Sequence, residues 1–262
     1  MGNDSVKRTV ITALVLCLFC SIVVSGSAIL LKERQVANKK LDIKKNLLLA
    51  SGLLSNPAAS KEEVEALFTR VTPVVVDMSS GKVMEGVDPE SVNERKEAKE
   101  SSLNIALAGS DDIAKIQNIA KRMRVYLVKS EAGALEKIVL PVHGKGLWST
   151  LYGFLALGTD KRTVKGLGFY EHAETPGLGG EVDNPKWKNL WVDKVALDND
   201  GKPQIKIVKG QANPNNKDYA SQVDGLSGAT ITSNGVQALV NFWLGPKGFG
   251  TFLQSFDVKG AI

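Results

Sequence analysis

Cysteine is scarce in this 262-residue chain: its only two cysteines, Cys17 and Cys20, lie inside one uncharged apolar run. A C-x-x-C pair in a soluble domain would suggest metal or redox chemistry. Within an apolar run, however, cysteine behaves as a small apolar residue and suits a membrane helix. The rest of the chain has no cysteine, so it fits an oxidising or a reducing compartment equally well.

Three other patterns are absent from the sequence. The 33 lysines and arginines exceed the 28 acidic residues, for a formal net charge of +5, but they form no long basic run interleaved with aromatic residues, so nucleic-acid binding is not expected. No G-x-G-x-x-G segment follows a predicted strand, and the apolar run contains no ionisable residue. The chain itself therefore shows neither a dinucleotide-binding fingerprint nor an ion path.

The uncharged run extends from Val10 to Leu31. As a helix rising about 1.5 Å per residue, it crosses the roughly 30 Å hydrocarbon core of a bilayer. Residues 25–28 (SGSA) could form the cleavage site of a signal peptide. The apolar region of a signal is typically about 7–15 residues long, however, and this run is longer. We therefore expect a retained single-span anchor.

Basic residues flank this span unequally. Lys7 and Arg8 precede it, whereas a larger group follows it: Lys32, Arg34, Lys39, Lys40, Lys44 and Lys45. Counted simply, the positive-inside rule places the C-terminal part in the cytoplasm. The rule is weaker beside a long domain that can be translocated regardless of charge, so the charges alone leave the orientation open.

Beyond the span the pattern predicts an α+β domain, in which helices pack on an antiparallel sheet. Three pairs of strand-like segments flank short turns: 125–128 with 138–140, 151–157 with 164–170, and 191–197 with 205–208. The third turn holds an Asp-Gly dipeptide, a strong hairpin signal, and strands joined by short turns pair antiparallel. A further strand is predicted at 74–76, helices at 33–55, 60–70 and 235–244, and loop or weak helix at 86–112.

These elements divide the chain into four parts. We expect an N-terminal segment at 1–9, a transmembrane helix at 10–31, a membrane-proximal helix or linker at 32–59, and a folded domain at 60–262.

Residues 224–233 (DGLSGATITS) place hydroxyl and small side chains between a polar loop and a predicted helix. One interpretation is a helix start, with Thr232 or Ser233 as the cap and the glycines in the preceding turn. That interpretation leaves Thr230 unexplained, because Thr230 lies upstream of the cap.

A nucleophile elbow is the second interpretation, because Ser227 lies in a small-x-Ser-x-small pattern. An elbow needs a preceding strand and, in this fold, a histidine base later in the chain. We predict no strand in residues 212–224, and both histidines, His143 and His172, come earlier. The hydrolase interpretation is therefore rejected.

Phosphate binding is the third interpretation of the same segment. Small residues leave the backbone amides open to a close anion, and the start of the following helix adds its positive dipole end. Hydroxyls that can donate to phosphate oxygens are those of Ser227, Thr230, Thr232 and Ser233. A phosphate ester on Thr230 would be electrostatically favoured here.

Residues 172–180 (HAETPGLGG) follow a predicted strand. The simplest interpretation is a strand end that runs into a Pro-Gly turn. His172 and Glu174 make a weak metal site, because no third ligand is nearby in the sequence. As the lining of a planar ligand, the turn offers backbone donors and the apolar edge of Leu178. Trp148 is the ring expected to face that ligand, whereas Tyr152 and Phe154 are expected in the core.

The segment DGLSGAT resembles the flavinylation motif D-x-x-S/T-G-A-T of the FMN-binding domain family, and residues 172–179 match that family's H-x-E-T-P-G-L-G segment. Together with the span and residues 144–157 (GKGLWSTLYGFLAL), they resemble the NqrC family of the Na+-translocating NADH:quinone oxidoreductases over nearly the whole chain. The RnfG flavoprotein of the Rnf complex shares the flavin motif and is the nearest alternative. A non-redox anchored binding or scaffold protein with an unmodified Thr230 is the alternative from another class.

The resemblance implies FMN bound covalently by a phosphoester to the hydroxyl of Thr230, attached by a separate Mg2+-dependent flavin transferase that uses FAD. The remaining motif residues would be Asp224, Ser227, Gly228 and Ala229, with Thr232 near the phosphate. The expected neighbours of the flavin are Glu174, Thr175, Leu178, Gly179 and Trp148.

The resemblance also implies an electron-carrying component of a six-subunit complex that oxidises NADH, reduces ubiquinone and exports Na+, with no catalysis by this chain alone. Electrons would come from an iron–sulfur centre held by neighbouring membrane subunits and pass to the FMN of the NqrB flavoprotein. In the bacterial inner membrane, residues 1–9 would be cytoplasmic and residues 60–262 periplasmic, against the simple charge count.

Overall fold

The computed structural model describes residues 6–258 and divides into two compact units, with the division between residues 43 and 44. The helices are α1 (Val6–Ser51), α2 (Lys61–Phe68), α3 (Glu94–Glu97), α4 (Pro185–Asn189), α5 (Thr230–Leu244) and α6 (Gly250–Ser255). The strands are β1 (Val71–Asp77), β2 (Lys82–Val83), β3 (Asn104–Ala106), β4 (Asn118–Ala120), β5 (Arg122–Lys129), β6 (Leu135–Lys145), β7 (Thr150–Gly158), β8 (Val164–Glu171), β9 (Lys206–Val208) and β10 (Gln222–Asp224). Short 3-10 helices lie at Pro89–Ser91, Gly179–Asp183 and Tyr219–Ser221.

The first unit consists of the N-terminal part of α1. This helix is long and apolar enough to cross a membrane, and apolar side chains such as Leu14 and Leu30 are largely exposed along it. Exposed apolar side chains over such a length suit a hydrocarbon environment. The helix therefore fits the single-pass anchor that the sequence predicts.

The last turns of α1 belong to the second unit. The predicted helix over residues 33–55 ends earlier than expected, at Ser51, because Gly52 adopts a positive φ of 69°. The N–H groups of Gly52 and Leu53 donate to carbonyls of the preceding turn at 3.0 Å each. This is the glycine-terminated helix end in which a left-handed residue satisfies the last carbonyls.

Six strands form one antiparallel sheet in the order β2-β1-β5-β6-β7-β8. Two predicted hairpins are confirmed: β5 pairs with β6, with Tyr126 opposite Val139, and β7 pairs with β8, with Leu155 opposite Leu167. The strand predicted at 74–76 lies within β1. The α+β class with an antiparallel sheet is confirmed.

Two of the shorter helices, α2 and α3, illustrate side-chain capping. Ser60 accepts the N–H of Glu63 at 3.3 Å and starts α2, as the sequence predicts. Within residues 86–112, which the sequence predicts as loop or weak helix, Asn93 accepts the N–H of Lys96 at 3.1 Å and starts α3. Each side-chain oxygen satisfies an amide that has no partner within its own helix.

The third predicted hairpin is wrong. The Asp-Gly turn is present, with Gly201 at a φ of 77°, but only isolated bridges accompany it: Thr163 with Val195 and Leu197 with Pro203. Trp191 is fully buried against Trp187, and the chain turns immediately afterwards. Burial of this indole ring takes the segment out of any extended strand, and β9 pairs in parallel with β10 instead.

The sheet has apolar side chains on both faces. One face, with Val125, Ile138 and Leu140, packs with Leu239 and Trp243 of α5 in the main core. On the other side, Gly166 of β8 approaches the end of α1 so closely that an added Cβ would lie 2.1 Å from the Ala50 oxygen. Helix α5 and the end of α1 are therefore both packed elements of the second unit. As predicted, Phe154 is in the core, at 2% exposure, whereas Tyr152 is only half-buried.

Candidate cofactor-binding site

The segment 224–233 forms a strand, a turn and a helix start. β10 ends at Asp224 and α5 begins at Thr230, with Ala229 at the N-cap position and no side-chain cap. The prediction of no strand in residues 212–224 is therefore wrong for Gln222–Asp224. That strand forms because Val223 pairs with Ile207 of β9, a partner distant in sequence.

The prediction that Thr232 or Ser233 caps the helix is also wrong, because both lie inside its first turns. Thr230 is the first helical residue and is exposed, as is Ser227 in the turn before it. The first amides of a helix have no partner within the helix, and Ala229 offers no side-chain acceptor. The start of α5 therefore presents an exposed hydroxyl beside amides that suit an anion.

A cleft of about 600 Å³ lies at this helix start. It is lined by residues 207–210 at the end of β9 and just beyond it, by the turn 225–228, and by Thr230, Ser233 and Asn234 of α5. Its volume falls in the range of roughly 300–1,000 Å³ that small-molecule sites occupy. Gly228 has a φ of 69°, a backbone conformation that favours glycine at this point of the turn.

Two hydroxyls of the segment point inward and are buried. Thr232 Oγ1 donates to Glu174 Oε2 at 2.7 Å, and Ser233 Oγ accepts the N–H of Leu226 at 3.0 Å. The exposed hydroxyls of Ser227 and Thr230 and the buried hydroxyls of Thr232 and Ser233 thus have different surroundings.

Glu174 joins three segments that are far apart in sequence. Besides Thr232, its carboxylate accepts the N–H groups of Leu147 at 3.2 Å, Trp148 at 3.0 Å and Ser149 at 3.1 Å. The Glu174 residue is only 5% exposed. Burial favours the neutral acid, but the bonds from Thr232 and the three amides outweigh it and hold the pKa of Glu174 below its usual value.

The other predicted neighbours of a flavin surround this carboxylate or border the turn. Gly179 is so close to it that an added Cβ would lie 2.8 Å from Glu174 Oε2. Likewise, an added Cβ at Gly228 would lie 2.9 Å from Leu178 Cδ2. Thr175 is exposed and its carbonyl accepts the N–H of Gly180 at 2.9 Å. The three predicted segments therefore come together in space.

Exposed apolar groups lie on two of these segments. Trp148 is 67% exposed and Leu178 is 44% exposed, although neither lines the cleft itself. An aromatic ring and an aliphatic side chain that are held beside a polar turn can contact the face of a planar ring system.

Asp224 holds neighbouring backbone in place. Its Oδ1 accepts the N–H of Ala212 at 2.9 Å, and its carbonyl accepts the indole N–H of Trp187 at 2.9 Å. The first residue of the motif thus ties the loop before β10 and helix α4 to the turn.

The two histidines have partners of their own. His143 stacks on Tyr152 with ring centroids 5.4 Å apart, and desolvation, with a smaller contribution from the Arg95 charge, lowers its pKa to about 4. His172 Nε2 lies 2.8 Å from Asp183 Oδ2, which raises the pKa of His172 despite partial burial.

Although a strand now precedes Ser227, the hydrolase interpretation remains rejected, because no histidine follows it. Residues 6–258 contain no group of three metal-ligating side chains.

The comparison with known proteins first defines the class. A family profile described as the FMN-binding domain matches residues 146–245, which include the Trp148 loop, the Glu174 turn and the segment 224–233. The exposed hydroxyl, the uncapped helix start and the cleft all fit a flavin phosphate. This is an FMN-binding domain of α+β architecture.

Relatives over the full length then define the family. The chain is 49% identical to the NqrC component of the Na(+)-translocating NADH-quinone reductase of Pseudomonas aeruginosa, covering 97% of each, and 45% identical to that of Yersinia pestis, covering 100% of this chain and 96% of the relative. The crystal structure of NqrC from Shewanella oneidensis matches 86% of this chain and 99% of its own, with a TM-score of 0.76 and 35% identity. The corresponding crystal structure from Parabacteroides distasonis matches 86% and 98%, with a TM-score of 0.63 and 27% identity. The chain belongs to the NqrC family of the Na(+)-translocating NADH-quinone reductases.

Sequence reasoning found the three segments but missed several of their contacts. The amides of residues 147–149 leave no signal in the sequence, because any residue except proline can supply them. The same holds for residues 207–210, which line the cleft only because β9 pairs with β10. The hydroxyl of Ser149, which accepts the N–H of Ala173 at 2.7 Å, was also missed.

Proposed function

We propose that this chain is the electron-carrying component of a Na+-translocating NADH:ubiquinone reductase, with FMN linked by a phosphoester to Thr230. The observation that carries the proposal is the exposed hydroxyl of Thr230 at the uncapped start of α5, beside the cleft. Membership of the NqrC family and the match to the FMN-binding domain support it.

The attachment is a phosphoryl transfer whose co-reactant is FAD. The Oγ1 of Thr230 forms a bond to the phosphorus of the FMN half, the bond between the two phosphates breaks, and AMP leaves while the hydroxyl proton passes to the transferase or to water. The chain's own contribution is to expose the nucleophile and to keep a negative product near a positive helix end. A separate flavin transferase supplies the base and the Mg2+.

Once attached, the flavin supplies the redox chemistry, and the protein supplies orientation and surroundings. The first-turn amides of α5, with the hydroxyl of Ser227, would hold the phosphate. Trp148 and Leu178 would border the ring system, with Thr175 beside them. Asp224, Gly228, Ala229 and Gly179 would shape the turn that brings these groups together.

The anchor and the partners follow from the same proposal. Helix α1 would hold the chain in the bacterial inner membrane with residues 10–31 as the span and residues 60–262 in the periplasm. Electrons would arrive from an iron–sulfur centre held by membrane subunits and leave to the FMN of the NqrB flavoprotein. NADH oxidation, ubiquinone reduction and Na+ export would then belong to the whole complex.

The test is ultraviolet fluorescence of the denatured full-length chain in a gel, after co-expression with a flavin transferase. We expect a fluorescent wild-type band, no fluorescence in Thr230→Ala, and partial fluorescence in Thr230→Ser, because serine keeps the nucleophile. Thr72→Ala, at an exposed threonine of β1, is the matched control and should stay fluorescent. A fluorescent Thr230→Ala band would show that flavin is attached elsewhere. A dark wild-type band, beside a flavinylated control protein in the same cells, would favour the non-redox anchored protein.

A further inference from the structure

The carboxylate of Glu174 is buried without a salt-bridge partner in the part of the chain that the structure describes. Among residues 6–258, no salt bridge to Glu174 is found, although the residue is 5% exposed. Its hydrogen-bond donors are neutral groups: one hydroxyl and three backbone amides, with Ser149 Oγ at a longer 3.4 Å. The nearby His172 interacts with it only electrostatically. Burying a charge without a cation is costly, so donors must be held in place around it.

The surrounding backbone has room for the carboxylate only because two neighbours are glycine. An added Cβ at Gly146 would lie 2.6 Å from Glu174 Oε1, and one at Gly179 would lie 2.8 Å from Oε2. Each oxygen is therefore enclosed by one bare stretch of main chain. The main chain at these two glycines therefore fits closely around the Glu174 carboxylate.

The hydroxyl of Thr232 connects this enclosure to the candidate attachment residue. Thr232 is the third residue of α5 and Thr230 is the first, so both belong to the same turn of helix. Holding the Thr232 side chain at 2.7 Å from Glu174 fixes the rotation of that turn about the helix axis. The direction in which Thr230 presents its hydroxyl depends on that rotation.

We propose that Glu174 is the positioning residue of the attachment site: through Thr232 and the amides of residues 147–149 it sets the first turn of α5 so that Thr230 reaches the flavin transferase. This inference rests on the proposed function. It assigns Glu174 and Thr232 to the support of the site rather than to direct contact with flavin or phosphate. Glu174 acts through other groups and does not touch the reacting atoms.

The test compares rates of flavin attachment in the full-length chain, measured with purified transferase and FAD, across Glu174→Gln, Thr232→Val and Thr232→Ser. Hydrogen bonds to charged groups are strong, so we expect about a tenfold or greater fall for Glu174→Gln and Thr232→Val. Thr232→Ser keeps the hydroxyl and should stay within about threefold of wild type. The double variant Glu174→Gln/Thr232→Val should be no slower than Glu174→Gln alone, because both changes break the same bond.

A second readout needs no flavin. Hydrogen exchange of the Leu147 amide in the flavin-free chain should be slow in wild type and in Thr232→Val, and fast in Glu174→Gln, since only the last replaces its acceptor Oε2 with an NH2 group that cannot accept. Glu131→Gln, at an exposed residue of the β5–β6 turn, is the matched control for both readouts. Thermal unfolding of each variant separates a displaced site from a chain that no longer folds.

The outcomes separate this inference from the proposed function. If Glu174→Gln exposes the Leu147 amide to exchange but is flavinylated at the wild-type rate, the positioning role is overturned while the function stands. If Thr232→Ser is as slow as Thr232→Val, the hydroxyl is not the link and the inference fails. If the wild-type chain takes no flavin, the proposed function itself fails.

Discussion

Two glutamates, Glu174 and Glu97, are equally removed from solvent, at 5% exposure each, but different groups stabilise them. Glu97, at the end of α3, accepts two bonds from the guanidinium of Arg122 at 2.9 Å each, and one from the N–H of Asn93 at 3.2 Å. Glu174 accepts bonds from Thr232 and from three backbone amides, and it forms no salt bridge within residues 6–258.

The two surroundings serve different purposes. An arginine fork brings its own positive charge and joins two elements through flexible side chains. Amides that converge on a carboxylate fix the path of the main chain itself, because the donors are part of it. The region of Glu97, extended by the pair of Glu94 with Arg124 at 2.7 Å, therefore clamps α3 to the sheet. The region of Glu174 sets the geometry of a site.

The largest expected effect on stability lies at the Glu97 clamp. Glu97→Gln removes the charge opposite Arg122, and we expect the free energy of unfolding to fall by about 1–3 kcal/mol, because hydrogen bonds to charged groups are worth that much. Arg122 is 33% exposed and can be hydrated, which keeps the loss moderate. Urea unfolding of the full-length chain in detergent, followed by tryptophan fluorescence, measures it. Flavin content should not change, and a loss of flavin equal to that of Glu174→Gln would remove the distinction between the two regions.

The same clamp should weaken in acid. The bond from Arg122 lowers the pKa of Glu97 despite burial, so its stabilisation is present above the unfolded value near 4.5 and is lost as the pH falls through the folded pKa. Arg122 stays protonated throughout and does not move this window. The difference in unfolding free energy between wild type and Glu97→Gln should therefore be full at pH 7 and shrink below about pH 4.5. A difference that grew in acid would contradict the assignment.

The next effect lies at the other glutamate. Gly179→Ala would place a Cβ 2.5 Å from Thr232 Oγ1 and 2.8 Å from Glu174 Oε2, so the bond between these two side chains has to open. Overpacking of this kind costs about 1–3 kcal/mol, which, if it is felt at the attachment step, corresponds to a fall of about fivefold to 150-fold in the rate of flavin attachment. Gly109→Ala is the control, because an added Cβ there meets nothing within 4 Å. Attachment at the wild-type rate in Gly179→Ala would show that the enclosure tolerates displacement.

The smallest effect is expected at Ser227. Its hydroxyl is exposed in the turn before α5, and Ser227→Ala removes one proposed donor to the phosphate while the first-turn amides of α5 remain. We expect the flavin attachment rate to fall by no more than about threefold, as for a single neutral hydrogen bond. The same transferase assay measures it, with Thr230→Ala as the reference for complete loss. A loss of flavin attachment as large as that of Thr230→Ala would show that the Ser227 hydroxyl takes part in the attachment reaction.

Predictions from the sequence succeeded where the pattern is local. The uncharged run at 10–31, the turns after β5 and β7 and the cap at Ser60 each depend on residues within a few positions. They failed where a partner that is distant in sequence determines the secondary structure. β10 exists because β9 lies beside it, and the segment 191–197 leaves the extended form because the Trp191 ring is buried.

The sequence by itself determined the α+β class, the apolar helix, and the order of the three segments that form the site, because composition, turn residues and motifs carry that information directly. Only the tertiary structure decided which contacts those segments make with one another. The carboxylate of Glu174 meets a hydroxyl 58 residues later and amides 25 to 27 residues earlier, and backbone amides have no identity in a sequence. The three segments meet because the sheet, with α5 packed on one face, brings the end of β6, the start of β7 and the end of β8 to the start of that helix.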